Sequence, residues 1–296
     1  MIFKGSCVAL VTPFKNNKVD FDALAKLIDF QIDAKTDAIL VLGTTGESST
    51  LSDKEKIAII KFAKNKIAGR AKLVVGTGSN STKTAITNSQ IAQKLGADAV
   101  LVVSPYYNKC TQAGAILHYK AVANSINIPV ILYNVPSRTG FNLLPESVEK
   151  LAEVENIVAI KEANGDINHI LELFDKCRGK IDIYSGNDNL NHIFYTLGGA
   201  GTISVVANIF PKQIKQQLET KNNITLHKIS QLCFVEPNPI PIKFLLCYAG
   251  FIENELRLPL TPLSNAYKKM LKDCYNQIQP NEANCNNTLA EAIYGD

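Results

Sequence analysis

Apolar residues fall along this chain in two alternating rhythms. Short runs rich in Val and Ile occupy residues 6–11, 38–43, 72–76, 99–104, 129–134, 157–161, 181–186 and 202–206. They are too short for helices and nearly continuous in apolar character, as expected of strands buried on both faces. Between them lie longer segments with apolar residues three and four apart, such as Phe21, Leu24, Leu27, Ile28 and Ile32. That spacing places one face of a helix in a core. Ser52-Asp53-Lys54-Glu55 has the spacing of a capping box and predicts a helix start at Ser52. Gly96 suits the left-handed end of the following helix. A faint echo, Asp37-Ala38-Ile39-Leu40-Val41 recurring as Asp98-Ala99-Val100-Leu101-Val102, points to a repeated unit.

Eight strand candidates, each followed by a helix candidate, predict an α/β fold with a parallel sheet. Eight units suggest closure into a (β/α)8 TIM barrel. An open doubly wound sheet is the alternative, but the first strand–helix turn, Thr12-Pro13-Phe14, lacks the glycine pattern of a dinucleotide site. Beyond residue 222 the strand signal stops, and helix-like segments continue. They are broken by Glu236-Pro237-Asn238-Pro239 and by Leu258-Pro259-Leu260-Thr261-Pro262. The expected organisation is a catalytic barrel over residues 1–222 and a C-terminal helical extension over residues 223–296.

Composition narrows the class. The chain has 296 residues, 46% hydrophobic and 20% charged, too apolar and too weakly charged for a disordered protein. No apolar run approaches the ~18–20 residues of a membrane span, and the N-terminus, interrupted by Pro13, does not read as a secretory signal. Seven dispersed cysteines with no C-x-x-C pair favour neither a disulfide framework nor a zinc knuckle. A net charge of +4 with scattered Lys and Arg argues against nucleic acid as a partner. The expectation is a soluble, cytoplasmic enzyme or binding protein.

In such barrels the chemistry sits at the C-terminal ends of the strands. Those positions hold Gly43-Thr44-Thr45-Gly46-Glu47, Gly76-Thr77-Gly78, Pro105-Tyr106-Tyr107, Tyr133-Asn134, Lys161-Glu162, Ser185-Gly186-Asn187-Asp188 and Val205-Val206-Ala207-Asn208. Lys161 is the most informative. A lysine closing a doubly buried strand puts an ammonium where water is scarce, and desolvation favours the neutral amine that attacks a carbonyl to form a Schiff base. Taken alone, it reads somewhat more readily as a lysine whose stem lines the strand while its head reaches solvent. Tyr133, ending the preceding strand, should flank it and can carry protons, or can merely be a buried tyrosine with a satisfied hydroxyl. Thr44 and Tyr107 could extend a hydroxyl relay, and the Gly43–Gly46 turn can offer backbone N–H groups to a carboxylate. The histidines, His118, His169, His192 and His227, fall in helical segments, so no ligand set for a catalytic metal is visible and none is expected. The cluster Gly198-Gly199-Ala200-Gly201 precedes the eighth strand, at the wrong end of the barrel for a phosphate loop.

With these residues laid out, the chain resembles the dihydrodipicolinate synthases of the pyruvate-dependent class I aldolase superfamily. The resemblance rests on Gly43-Thr44-Thr45-Gly46-Glu47-Ser48, Ser104-Pro105-Tyr106-Tyr107, Tyr133-Asn134-Val135-Pro136-Ser137-Arg138-Thr139-Gly140, Ile160-Lys161-Glu162-Ala163 and Ser185-Gly186-Asn187-Asp188. It extends to Asn238-Pro239-Ile240-Pro241-Ile242-Lys243 and Arg257-Leu258-Pro259-Leu260. The segment Arg138-Thr139-Gly140 is typical of the synthases, whereas the sugar-acid lyases usually lack that arginine. The resemblance implies that Lys161 condenses with pyruvate and that the enamine attacks L-aspartate 4-semialdehyde, giving 4-hydroxy-tetrahydrodipicolinate on the diaminopimelate route to lysine. It implies Tyr133 as proton shuttle, linked through Thr44 to Tyr107 of a neighbouring subunit. Thr45 would hold the pyruvate carboxylate, Arg138 the carboxylate of the semialdehyde, and Gly186 and the Ile203 backbone would complete the pocket. No cofactor is implied, and a homotetramer built as a dimer of dimers is the expected assembly.

Two rivals stand beside this reading: a pyruvate aldolase with a sugar-acid electrophile, and a barrel that binds a small carboxylate without turnover. The resemblance also bears on regulation. Ser48, Asn80 and Tyr106 match the site at which many synthases bind L-lysine, but Asp53, Lys56 and Thr84 depart from it. A cationic Lys56 and the absence of an acid at Thr84 predict weak inhibition or none.

Overall fold

The computed structural model describes residues 1–220 and 224–279. The expected boundary between residues 222 and 223 lies outside the described residues, as does Cys285. Eight parallel strands close into a barrel: β1 (Gly5–Ala9), β2 (Ala38–Val41), β3 (Lys72–Gly76), β4 (Ala99–Val103), β5 (Val130–Asn134), β6 (Ile157–Glu162), β7 (Asp182–Ser185) and β8 (Gly201–Ser204). The last strand pairs with the first, Gly5 opposite Gly201. Each apolar run of the sequence contains or overlaps one strand. Most runs overshoot their ladders by a residue or two, whereas residues 72–76 coincide with β3 and residues 157–161 stop one short of the end of β6.

The helices that wrap the barrel are α1 (Phe21–Asp33), α2 (Asp53–Ile67), α3 (Thr82–Lys94), α4 (Gln112–Ala123), α5 (Pro145–Leu151), α6 (Ile167–Cys177), α7 (Asn191–Thr196) and α8 (Pro211–Thr220). Three more follow, α9 (Ile224–Leu232), α10 (Ile240–Tyr248) and α11 (Asn265–Ile278). They are the expected helical extension. Helix α2 begins with the capping box read from sequence: Glu55 N–H donates to Ser52 Oγ at 3.3 Å, and Ser52 N–H donates to Glu55 Oε2 at 2.9 Å. Helix α3 ends before Gly96, whose φ of +84° lies in the left-handed region that favours glycine.

Alternate residues of each strand enter two separate cores. Cys7, Leu40, Val74, Leu101, Ile131, Ala159 and Ile203 point into the barrel, whereas Val8, Ile39, Val75, Val102, Leu132 and Ile160 meet the helices. This two-sided burial is why the runs are continuous rather than alternating. Phe3 stacks on Tyr184 with ring centroids 4.3 Å apart and closes the bottom of the barrel. The internal echo has a structural reason at that same end. Asp37 Oδ2 accepts the Ser6 N–H at 2.9 Å, and Asp98 Oδ2 accepts the Leu73 N–H at 2.8 Å. Each aspartate therefore ties the entry of its own strand to that of the neighbour.

Candidate active site

The alternation that fills the barrel also aims its polar residues. On β6, Ala159 and Lys161 face inward while Ile160 and Glu162 face outward; on β5, Tyr133 faces inward and Asn134 outward. Tyr133 and Lys161 are register partners across the two strands. The Lys161 Nζ lies 4.5 Å from the centroid of the Tyr133 ring, and only 5% of the lysine is exposed. Among the described residues Lys161 has no carboxylate within ion-pairing distance. The amine therefore sits against an aromatic face at the rim of an apolar barrel, a setting in which a charge is poorly solvated.

A cavity of about 350 Å³ opens at this end of the barrel, lined among others by Thr44, Thr45, Tyr133, Arg138, Lys161 and Gly186. The ends of β2, β5, β6 and β7, or the loops after them, thus converge on one space. Gly186 is required there by packing: a Cβ on it would lie 2.9 Å from Lys161 Cε and 3.0 Å from Cγ. Thr45 is buried and its Oγ1 accepts a hydrogen bond from Asn238 Nδ2 at 2.9 Å. Arg138 donates from Nη2 to the Asn238 carbonyl at 3.1 Å. Gly46 and Glu47 N–H groups close the turn onto the Gly43 and Thr44 carbonyls.

Two expected residues, Ile203 and Tyr107, do not line this cavity. Ile203 is fully buried in the inner core, and Val205, two residues on, lines the cavity. Tyr107 is 89% exposed and lines neither this cavity nor the larger one beside it. Its backbone is in the left-handed region, φ +70°, an uncommon state for an aromatic residue.

Other nucleophiles and acids nearby are held inactive or structural. Cys7 lies in the inner core, and burial pushes its thiol up to about 12. Asp188 is buried and accepts the N–H groups of Val205 and Val206 at 2.9 and 3.0 Å. Burial raises its pKa, against those hydrogen bonds.

The sequence did not announce the part played by the C-terminal extension. Phe234, Pro237 and Asn238, from the turn between α9 and α10, form one wall of the cavity. They are held there by a buried ion pair: Lys243 Nζ lies 2.6 Å from Glu47 Oε1 and donates to the Glu255 carbonyl at 2.8 Å. Lys243 Nζ and the Arg257 guanidinium each lie 4.3 Å from the centroid of the Phe14 ring. The sequence flagged these segments, 238–243 and 257–260, only through the resemblance, which did not say what they touch.

The model of the dihydrodipicolinate synthetase family matches residues 2–278. A 4-hydroxy-tetrahydrodipicolinate synthase of Alkaliphilus oremlandii is 49% identical over 282 residues, 92% of this chain and 97% of that protein. The crystal structure of the dihydrodipicolinate synthase of Thermotoga maritima superposes with a TM-score of 0.92 at 39% identity, over 94% of this chain and 99% of that one. A dihydrodipicolinate synthase of Cyanidioschyzon merolae, solved with lysine bound, superposes with a TM-score of 0.91 at 34% identity, over 94% of this chain and 99% of that one. Likeness of sequence and of fold runs through the barrel and the helices after it alike, and the chain belongs to the dihydrodipicolinate synthetase family.

Proposed function

We propose that this chain condenses pyruvate, held as an imine on Lys161, with L-aspartate 4-semialdehyde to form 4-hydroxy-tetrahydrodipicolinate. The chain is a lyase of the class I aldolase type, and its place is the diaminopimelate route to lysine. The observation that carries the residue assignment is the buried amine of Lys161 lying against Tyr133 in a cavity open to small molecules. The amine adds to the pyruvate ketone and water leaves. The imine loses a proton from C3, and the resulting enamine carbon bonds to the aldehyde carbon, whose oxygen is protonated. The amino group of the semialdehyde portion then displaces Lys161 at the imine carbon, closing the ring and freeing the enzyme.

Tyr133 is the proton carrier in this reading, because its ring is the polar-tipped group packed on the amine. Thr45 holds the pyruvate carboxylate near the Thr44 and Thr45 N–H groups. Arg138 binds the carboxylate of the semialdehyde, a task suited to a planar guanidinium. It is tethered by one Nη2 contact, which leaves other N–H donors for a ligand. Thr44 relays protons between Tyr133 and the Tyr107 of a second copy, and the exposure of Tyr107 supports that arrangement within a homotetramer. No helix among the described residues is long and apolar enough to cross a membrane, and we place the enzyme in the cytoplasm.

Borohydride reduction in the presence of pyruvate tests the reading directly. The expected result is an irreversible adduct on Lys161, abolished in Lys161→Ala, with turnover of pyruvate plus aspartate semialdehyde but not of pyruvate plus N-acetylmannosamine. An adduct on a different lysine would remove the assignment.

A further inference from the structure

Behind the cavity, on the face of β5 and β6 turned to the helices, lies a buried polar cluster for which the proposed chemistry has no use. Glu162 is fully buried. Its carboxylate accepts the Asn134 amide at 3.0 and 3.1 Å, His169 Nε2 at 3.1 Å and the Asn164 N–H at 2.6 Å. Asn134 is itself fixed: its Oδ1 accepts the Leu143 N–H at 3.0 Å, and its Nδ2 also donates to Asn142 Oδ1 at 2.8 Å. Asn134 and Glu162 are register partners, one residue beyond the Tyr133 and Lys161 pair.

Register in this strand pair is not secured by the ladder alone. Val130 pairs with Ile157 but Ile131 pairs with Ala159, so β6 carries one extra residue, Val158, near its start. Because side chains alternate, a slip of one residue at the other end of β6 would turn Lys161 out of the barrel and Glu162 into it. Apolar residues at positions 134 and 162 would satisfy the outer core equally well. A buried carboxylate adds little net stability over such a pair, and its attested use is to fix one arrangement among several.

We propose that Glu162 is a positioning residue, the shared acceptor of a clasp with Asn134 and His169 that pins the register of β5 and β6 and so holds Lys161 against Tyr133. The inference rests on the reading of Lys161 as the imine-forming residue. It assigns Glu162 and Asn134 no contact with substrate.

The test measures borohydride trapping by pyruvate, steady-state kinetics and thermal unfolding for Glu162→Gln, Asn134→Ala and their combination. Glu162→Gln keeps the shape but offers a single acceptor oxygen to several donors. Each single variant is expected to lower the trapping rate and kcat by about 10- to 100-fold, the scale of a misplacement near 1 Å. The KM for pyruvate should change little. The unfolding temperature should fall, because a buried partner is left unpaired, yet stay above the assay temperature, and the double variant should lose no more activity than the worse single one. Folded variants that trap pyruvate at the wild-type rate would overturn the clasp. So would losses of activity that only track losses of stability, since those belong to a structural residue. If Glu162→Gln does not fold, Asn134→Ala carries the same comparison from the other strand. Failure of the wild-type protein to label at Lys161 is a different outcome, which withdraws the underlying site assignment and the clasp with it.

Discussion

Lys161 was legible because a charge at the end of a doubly buried strand contradicts its surroundings, and Tyr133 because it ends the adjacent strand. Their neighbours Asn134 and Glu162 were in view at the same strand ends, yet nothing in a linear pattern says that two outward-facing polar residues meet. Gly186 shows the same limit. As a sequence symbol it is one glycine in a loop, and only packing explains it: an added methyl would meet Lys161 Cε and Ala163 Cβ, each at 2.9 Å. Backbone strain does not enter, since Gly186 is absent from the residues with positive φ. Gly186→Ala is therefore expected to displace the lysine and slow pyruvate imine formation by about 10- to 100-fold while the barrel still folds, overpacking costing about 1–3 kcal/mol. Trapping rates and unfolding temperature, measured on the same preparation, check both halves. A wild-type trapping rate would show that the lysine has room to move aside.

At the scale of elements, helix α2 joins a local signal to a distant one. Its capping box is readable from Ser52 and Glu55 alone. The structure adds Arg257, from the segment after α10, which donates to both Glu55 oxygens at 2.6 and 3.0 Å and to the Thr50 carbonyl at 3.0 Å. The hydrogen bond from Arg257, against the effect of burial, holds the Glu55 carboxyl down at about 2. A carboxyl whose pKa is lower in the folded state contributes stability above its unfolded value, near 4.5, and loses it as pH falls through about 2. Glu55→Gln should therefore flatten the acid limb of stability between those values and leave other carboxylates to set the remaining slope. Unfolding temperatures followed from pH 5 to pH 2 (about where both forms of the group are sampled) check this. Parallel curves for the two proteins would mean that Arg257 adds nothing to Glu55 in solution.

The whole molecule is a barrel whose mouth is completed by its own extension. Burial pulls the Lys243 ammonium below its ordinary range, while Glu47 opposes the shift. That pair holds the turn bearing Asn238 over the cavity. A second cavity of about 830 Å³ adjoins the first, and its walls include Ser48, Asp53, Lys56, Thr84 and Tyr106. Asp53 pairs with Lys56 at 3.4 Å and its side chain is 90% exposed, so it offers an ammonium only a solvent-screened charge in place of the acid missing at Thr84. Lys83 lines the same space and adds a further cation. An ammonium ligand would therefore meet like charge. Assays of condensation with added L-lysine are expected to show weak inhibition or none, and strong inhibition at submillimolar L-lysine would show that the cavity supplies an acceptor by another route.

The sequence by itself determined the strands, the helices, the parallel order and the residues at the strand ends. These follow from short-range periodicity: two-sided burial writes continuous apolar runs, and one-sided burial writes helical spacing. It also marked Thr44, Thr45, Tyr133 and Lys161, because chemistry in a barrel is confined to one rim, whereas Arg138 stood out only through the resemblance to the synthases. Tertiary structure alone decided which of these share a cavity, that Tyr107 stands outside the one formed by its own chain, and that Asn238, Lys243 and Arg257 close the mouth from more than 190 residues away. It also decided the clasp on the outer face of β5 and β6. Contacts between residues far apart in the chain depend on closure and register. Neither is written in any local window, because each residue's pattern records only whether it is buried, not what it is buried against.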